Sequence, residues 1–359
     1  MFNFILKRLF YGFLVLLGVV TIVFFLFNIL PGDPARMMLG QRADQASIDI
    51  INKDLGLDKP LYQQFFNYLN DLSPVSVHNS QDSESFWHLD SEKYAPYTSL
   101  IKMKNHTVVL KKPYLRRSYQ SKRNVSEILS DAFPKTAVLA LASIALALIL
   151  GIFIGTLSAI YKDSFFDKSA LFISVLGMAL PSFFAAILIA WFFAYVLSDY
   201  TGLNMFGTLY SVDDLGRGEY LDLKNLILPA ITLGIRPLAV FVELTKTSML
   251  DVLSQDYIRT AKAKGLKFGT IVWKHALRNG LNPIVTSATG WLASLMAGAV
   301  FVEYVFDWKG VGSVIIDALE KYDFPVIMGS LLIISVILVL INILVDILYG
   351  ILDPRVRIK

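Results

Sequence analysis

Cysteine is absent from the 359 residues, and histidine occurs only four times. A chain without cysteine has no disulfide, no thiolate zinc site and no thiol nucleophile. The four histidines, His78, His88, His106 and His275, show no spacing typical of a zinc-binding helix. We therefore expect neither a catalytic residue nor a metal site in this chain.

Two further absences exclude other functions. The sequence contains no Gly-x4-Gly-Lys-Ser/Thr motif, which is the loop that holds nucleotide phosphates. The chain is therefore not expected to hydrolyse ATP, nor to bind ATP or another cofactor itself. The net charge of +4 is too small to indicate nucleic acid as a partner.

Charged residues are scarce, at 17% of the chain against 55% hydrophobic residues. Soluble domains carry nearer a quarter charged residues, and a helix needs about 20 apolar residues to cross a bilayer. Six stretches meet this need, which predicts an all-α polytopic membrane protein with six transmembrane helices surrounded by lipid. They are residues 9–30, 136–159, 169–197, 226–242, 280–302 and 325–345.

Some residues inside these stretches are unusual for a membrane helix. Arg236 lies in the fourth stretch, where an arginine costs about 2.5–3.5 kcal/mol on insertion scales. It is expected either to snorkel or to face protein, and Glu243, seven residues later, is expected to pair with it on the same seam. Pro181 predicts a bend in the third stretch, and Gly151 and Gly155 are suited to close helix packing.

Lysine and arginine predict the orientation in the membrane. Residues 1–8, 160–168, 246–279 and 353–359 carry 2, 2, 7 and 3 of these residues, 14 in total, whereas the short segments 198–225 and 303–324 carry four. The richer set is predicted to be cytoplasmic, and both termini with it. The long segment 31–131 carries thirteen but counts little, because long loops translocate regardless of charge.

The predicted outer segment contains two short amphipathic helices within 45–71, with Gly56 as a C-cap and Pro60 at the start of the second. Between Lys93 and Arg123 it carries nine basic residues and no acidic one. Two interpretations of this stretch stay open. It is either a solvated insertion near lipid head groups or a docking surface for an extracytoplasmic partner.

The most informative polar segment is 248–283. Leu250, Leu253, Tyr257 and Ala261 recur at helical spacing and predict one apolar face, and Gly265 is suited to end the helix. From this pattern alone, the helix either lies on the inner leaflet or fits a groove on a soluble partner.

Polar residues near the membrane ends are candidates for the substrate path. Glu303 is placed at the outer mouth of the fifth stretch, either as a gate contact or as a hydrated helix-end carboxylate. Asn342 and Asp346 are four residues apart and share one face of the last helix. They predict either an interhelical polar network or a part of the path.

Several motifs together resemble one family. Residues 255–266 read QDYIRTAKAKGL, and further motifs are LPGDP at 30–34, LGLDKPL at 55–61, GAVFVE at 298–303, GVG at 310–312, YDFP at 322–325, NILVD at 342–346 and DPR at 353–355. In this order they resemble the dipeptide/oligopeptide/nickel permeases of binding-protein-dependent ABC importers, in particular the first permease of the pair. Two departures lie in the outer segment: an insertion at about 73–112, and PYLRRS at 113–118 where the family has Gly-Asp-Leu-Gly-x-Ser.

The resemblance implies the fold and the partners. It implies a type I ABC importer permease in a bacterial cytoplasmic membrane, with residues 1–30 as the tail and first helix, 31–131 as a large extracytoplasmic loop, and 132–359 as a five-helix core. It also implies a homologous second permease, two cytoplasmic ATPases that hold ATP and magnesium, and an extracytoplasmic substrate-binding protein. The residues that would contact an ATPase are Asp256, Tyr257, Arg259, Thr260, Ala261, Ala263, Lys264 and Gly265.

The expected function is therefore the translocation of di- or oligopeptides rather than catalysis. Nickel or another small solute is the alternative cargo within the family. An ion-coupled secondary transporter would favour inverted repeats, and none is found. A membrane hydrolase would need a buried pair of catalytic residues, but three of the four histidines lie in the outer segment.

Overall fold

The structure is a computed structural model of the chain. It describes residues 2–29, 44–45, 48–49, 52, 56–79, 87–213 and 218–352. Most of the first predicted outer helix, and the motifs at 30–34 and 353–355, lie outside the described residues.

Helices dominate the described residues. In chain order they are α1 (Phe2–Ile29), α2 (Leu61–Leu72), α3 (Ser91–Tyr94), α4 (Val125–Ile160), α5 (Phe165–Ala179), α6 (Ser182–Trp191), α7 (Ser198–Thr201), α8 (Lys224–Leu253), α9 (Asp256–Ala263), α10 (Phe268–Thr270), α11 (Leu277–Gly280), α12 (Asn282–Gly298), α13 (Val300–Val305), α14 (Val311–Glu320) and α15 (Phe324–Leu352). Two π-helical segments, Phe192–Val196 and Ile271–Ala276, continue α6 and α10.

Among the described residues, four helices are long and apolar enough to cross a membrane: Leu6–Asn28 within α1, then α4, α8, and Phe324–Ile347 within α15. The bent pair formed by α5 and Ser182–Val196 makes a fifth if it is one span. The predicted fifth stretch, 280–302, is divided between α12, of 17 residues, and α13. Because α12 alone is shorter than the usual 20-residue span, the count of six stays a prediction.

The bend predicted at Pro181 is confirmed. The helix axis bends by 113° between α5 and Ser182–Val196. The break falls at Leu180, whose backbone is extended at φ −71° and ψ 134°. A proline disfavours helical geometry in the preceding residue and has no N–H to donate. The chain therefore ends one helix before Pro181 and begins another directly after it.

The prediction of an all-α protein is wrong in the outer segment. Strands β1 (Val75–Asn79), β2 (Tyr97–Lys102) and β3 (His106–Lys111) form an antiparallel sheet in the order β1-β3-β2. Along β3, Thr107, Val109 and Lys111 alternate inward, as a half-buried strand requires. A second, two-stranded sheet pairs β4 (Tyr210–Val212) with β5 (Glu219–Leu221).

The chain forms two compact units. The first comprises the described residues of 1–12, 132–316 and 336–359. Its core includes Leu139, Phe241 and Trp308. Close packing at the two predicted glycines is confirmed, because a Cβ on Gly151 or Gly155 would lie 2.6 Å from an atom of α8.

The second unit comprises the described residues of 13–131 and 317–335. Its apolar core packs Val20, Val23 and Phe24 of α1 with Tyr68 of α2 and Met328 of α15. The Phe24 and Tyr68 rings stack at 5.6 Å between centroids.

Candidate coupling helix and polar sites

Helix α9 ends in a backbone motif that the sequence predicted. Gly265 follows it with φ +76°, and its N–H donates to the Lys262 carbonyl over 3.0 Å. The Leu266 N–H donates to the Ala261 carbonyl over 3.3 Å. This pair of bonds is the Schellman motif, which needs a left-handed residue and therefore favours glycine. The predicted helix end at Gly265 is confirmed.

The buried face of α9 differs from the predicted one. Ile258 and Ala261 are buried at 0% and 9% exposure, in a cluster with Met249, Ile271 and Ala276. Tyr257, predicted to lie on the apolar face, is 43% exposed. The reason is the break between α8 and α9 at Ser254 and Gln255, which interrupts the periodicity that begins at Leu250.

The opposite face of α9 is polar and exposed. It presents a short basic surface with one aromatic ring, and the exposed members are Asp256, Tyr257, Arg259, Thr260, Lys262, Ala263 and Lys264. Arg259 pairs with Asp256 at 3.1 Å, but both side chains are largely exposed, and such surface pairs contribute little to stability. Of the predicted contact residues, Ala261 alone is buried. The other seven share a surface that a partner can reach.

Two contacts hold this segment to the helices beside it. The Asn279 side-chain amide donates to the Tyr257 hydroxyl over 2.9 Å, and the Ser248 hydroxyl donates to the Gly280 carbonyl over 2.8 Å. The first contact joins α9 to α11, and the second joins α8 to α11.

A buried ion pair that the sequence did not predict joins α5 and α8. Lys246 Nζ lies 2.7 Å from Asp167 Oδ1, with only 16% and 3% of the side chains exposed. Asp167 Oδ2 also accepts the Asp163 N–H over 3.0 Å. The spacing of Ser164 and Asp167 is a helix-start signal, and it did appear in the sequence. The lysine partner, 79 residues away, could not be found from one sequence.

Glu303 is buried, not hydrated, at 0% exposure. Its carboxylate accepts the Thr136 hydroxyl over 2.7 Å and the Gly312 N–H over 2.7 Å. The Thr136 oxygen in turn accepts the Val311 N–H over 2.9 Å. A Cβ on Gly310 would lie 2.4 Å from the carboxylate. This carboxylate therefore joins α4, α13 and α14, and its predicted role as a gate contact stays a prediction.

The last helix places its two predicted polar residues differently. Asp346 Oδ2 lies 3.0 Å from Arg8 Nε of α1, which is an interhelical contact of the predicted kind. Asn342 is exposed.

On α8, Arg236 and Glu243 are both exposed and form no ion pair with each other. Their expected pairing on one seam is therefore absent from the described part of the chain.

The basic stretch of the outer segment is partly used internally. Asp71, 1% exposed, accepts the Tyr94 hydroxyl over 2.7 Å and lies 3.3 Å from Lys93 and 3.5 Å from Arg116. The buried Lys111 ammonium donates to the Asp71 carbonyl. Two of the nine basic residues therefore contact the Asp71 carboxylate, and a third binds the backbone carbonyl of the same residue.

Burial changes the ionisation of this cluster. Desolvation lowers the pKa of Lys111 to about 8 against the attraction of Asp71. It also lowers the pKa of His78 to about 4, with nearby Lys111 acting in the same direction. The remaining basic residues of the stretch, Lys102, Lys104, Lys112, Arg117, Lys122 and Arg123, are exposed.

Several long apolar helices, with a charged helix between two of them, define a multi-pass membrane protein. Residues 147–358 match the binding-protein-dependent transport system inner membrane component. Residues 1–84 match the N-terminal region of the membrane component of the same transport systems. The chain therefore belongs to the family of binding-protein-dependent inner-membrane permeases, which confirms the resemblance seen in the sequence.

Relatives match the chain over its whole length. The di/tripeptide transport system permease protein DppB of Pseudomonas aeruginosa (strain UCBPP-PA14) is 34% identical over 378 residues, covering 99% of each chain. The glutathione transport system permease protein GsiC of Pectobacterium atrosepticum is 34% identical and covers 100% of each chain. The dipeptide transport system permease protein DppB of Alkalihalophilus pseudofirmus is 31% identical, covering 99% of this chain and 100% of that protein.

Proposed function

We propose that this chain is the translocation subunit of an ATP-driven importer for di- and oligopeptides. The observation that carries the proposal is its similarity, over 99–100% of its length, to permeases named for dipeptides, di- and tripeptides and glutathione. Glutathione is itself a tripeptide, so these names share one chemical class of cargo. Nickel has no such support among them.

The energy source in this proposal is a pair of separate ATPase subunits that hold ATP and magnesium. The chain has no phosphate-binding loop motif, so it needs a partner to use ATP. The exposed surface of α9 is the proposed contact, because its shape is fixed by the Gly265 cap and its buried face is anchored by Ile258. A push on this short helix would be transmitted to α8 and to the segment that begins at α10 as a rigid-body movement.

The remaining parts of the assembly follow from the family. A homologous second permease would complete the path, and an extracytoplasmic binding protein would deliver the peptide. The excess of lysine and arginine in segments 1–8, 160–168, 246–279 and 353–359 supports a cytoplasmic position for both termini and for α9. In this arrangement the type I permease core alternates access between the two sides of the membrane.

Reconstitution tests this function. Lipid vesicles are prepared with the chain, its second permease, the ATPases and the binding protein. ATP is supplied on the side of the membrane where the ATPases lie. We expect ATP-dependent uptake of labelled dipeptide or glutathione, and no ATP hydrolysis by the purified chain alone. Uptake of Ni²⁺ without peptide uptake would contradict the proposed cargo, and hydrolysis by the pure chain would contradict the division of labour.

A further inference from the structure

A small polar cavity lies beside Arg236 in the first unit. Its volume is about 60 Å³, and it lies where α5, α6, α8 and α12 meet. This is room for a few water molecules or one small polar group, and not for a whole peptide. Its polar lining consists of Ser182, Thr232, Arg236, Trp291 and Ser294.

The hydrogen-bonding groups of this cavity favour an anion. The Thr232 hydroxyl donates to the Leu228 carbonyl of its own helix over 2.8 Å. Arg236 and Trp291 make no hydrogen bond or ion pair with the residues that the structure describes. A guanidinium offers five N–H donors and an indole one, and neither accepts. The described lining has no aspartate or glutamate, so the cavity has unused donors and a positive charge.

The position of Arg236 in a membrane-spanning helix indicates that its charge has a function. It lies near the middle of α8, a helix long and apolar enough to cross the membrane, yet it is exposed in the isolated chain. An arginine that faces hydrocarbon is disfavoured, because its charge loses the hydration it has in water. The guanidinium therefore needs a polar space or an anionic partner.

The helix break at Pro181 adds to the positive potential. Helix α6 begins at Ser182, which lines the cavity, and its first N–H groups have no carbonyl partner within the helix. The N-terminal end of a helix carries partial positive charge. Broken membrane helices in other transporters direct such ends toward anionic groups of the substrate.

We propose that Arg236 and this cavity form a station of the translocation path that binds the carboxylate of a passing peptide. The inference rests on the proposed function, because it takes the cargo to be a peptide. Every unmodified peptide ends in a carboxylate, and arginine binds carboxylates through two parallel hydrogen bonds. The station holds this one group while the rest of the peptide lies outside the cavity.

Uptake by the reconstituted complex tests the role of the charge. Arg236→Gln is expected to lower uptake of a free dipeptide about tenfold, whereas uptake of the same dipeptide as its C-terminal amide stays at the parent rate. Arg236→Lys is expected to keep more activity than Arg236→Gln, and Lys224→Gln, at the exposed start of α8, serves as the control. Equal losses for acid and amide, unchanged uptake, or failure of Arg236→Gln to assemble with the second permease would each overturn the inference.

A labelling experiment tests the cavity without requiring transport. The chain has no cysteine, so Ser294→Cys, in the lining of the cavity, introduces its only thiol and leaves Arg236 in place. We expect a membrane-impermeant anionic thiol reagent to modify this variant in the complex, and saturating dipeptide, but not its amide, to slow the reaction. Phe172→Cys, on the exposed apolar side of α5 with 70% exposure, is the slow control.

The two experiments separate the possible failures. A parent complex that imports no peptide overturns the proposed function. Absence of labelling at Ser294→Cys shows a cavity sealed from water, and labelling that dipeptide does not slow shows a wet cavity without a carboxylate site. Either result overturns the inference even if the complex imports peptide.

Discussion

A single glycine determines how α9 ends. Gly265 has a φ of +76°, which costs an ordinary residue about 1–2 kcal/mol because its Cβ approaches the following carbonyl. A Cβ there would meet no atom within 4 Å. The constraint on Gly265 is therefore conformational and not a matter of space.

Gly265→Val is accordingly expected to uncouple the importer. Valine resists the left-handed conformation, so the last turn of α9 should change shape while the complex still hydrolyses ATP. The number of peptides imported per ATP should fall several-fold in reconstituted vesicles. Gly269→Val is the matched control, because Gly269 has no positive φ and open space around its Cβ. A parent-like ratio in Gly265→Val would contradict the coupling role of this cap.

At this scale the sequence predicted backbone geometry better than side-chain orientation. Gly265 could be recognised because few other residues end a helix in this way. The inward position of Ile258 was missed, because the predicted stripe continued from Leu250 through the break between α8 and α9. An error of one residue in the helical register rotates the predicted face by about 100°. Tyr257 was therefore predicted to be on the apolar face in place of Ile258.

Between elements, the pair of Lys246 and Asp167 joins α8 to the start of α5. Lys246 lies two turns before the end of α8, and α9 follows directly after α8 in the chain. Removing one partner of a buried pair leaves an uncompensated charge and costs about 3–5 kcal/mol, whereas replacing both with apolar residues is often neutral.

Lys246→Met is therefore expected to lower the melting temperature of the purified complex strongly. The double variant Lys246→Met with Asp167→Leu should recover part of that loss. Arg123→Met is the control, since Arg123 and Asp131 form a surface pair with 54% and 64% of the side chains exposed. Thermal unfolding in detergent measures the parent, these three variants and the single variant Asp167→Leu, which completes the double-mutant cycle. Strictly additive losses in the double variant would contradict a direct interaction.

Contacts between secondary-structure elements were the feature of the fold that the sequence predicted least well. The sheet of β1, β2 and β3 was missed because its residues looked like a basic insertion, although Lys111 is an inward member of β3. A lysine on a strand indicates a solvent-exposed face only when the fold provides no buried acidic residue to pair with it. Asp71, forty residues earlier, could not be identified as that acid before the fold was known.

For the whole molecule, His78 of the second unit makes the free energy of unfolding depend on pH. The pKa of His78 is about 4 in the folded chain against 6.5 for a free histidine. The unfolded chain then binds more protons between these values. The contribution of His78 to stability is therefore fully present above pH 6.5 and is lost as the pH falls to about 4. The groups around His78 that act on it are Lys111, Lys93 and Asp71.

His78→Phe should reduce this loss. The difference in melting temperature between pH 6.5 and pH 4 is expected to be smaller in the variant than in the parent chain, measured on the full protein in detergent. His106→Phe, at an exposed position of β3, is the control and should behave like the parent. An unchanged pH dependence in His78→Phe would show that this histidine does not titrate across folding.

At the largest scale, hydrophobic stretches were a reliable guide to the membrane helices. Stretches 9–30, 136–159, 226–242 and 325–345 all fall largely within long helices of the structure. Their length is set by the bilayer and needs no knowledge of contacts. The division of 280–302 between α12 and α13 and the burial of Glu303 against Thr136 could not be predicted from hydrophobicity.

The cap of α9 has a consequence for the conditions under which this surface works. Its two hydrogen bonds join backbone groups only, and neither donor nor acceptor can titrate or be neutralised by dissolved ions. The outline of the helix end should therefore be the same in dilute and concentrated electrolyte, whereas the attraction that Arg259 exerts on an approaching protein is screened within about 10 Å at 0.1 M salt. Salt should thus slow the encounter without altering the shape that is recognised.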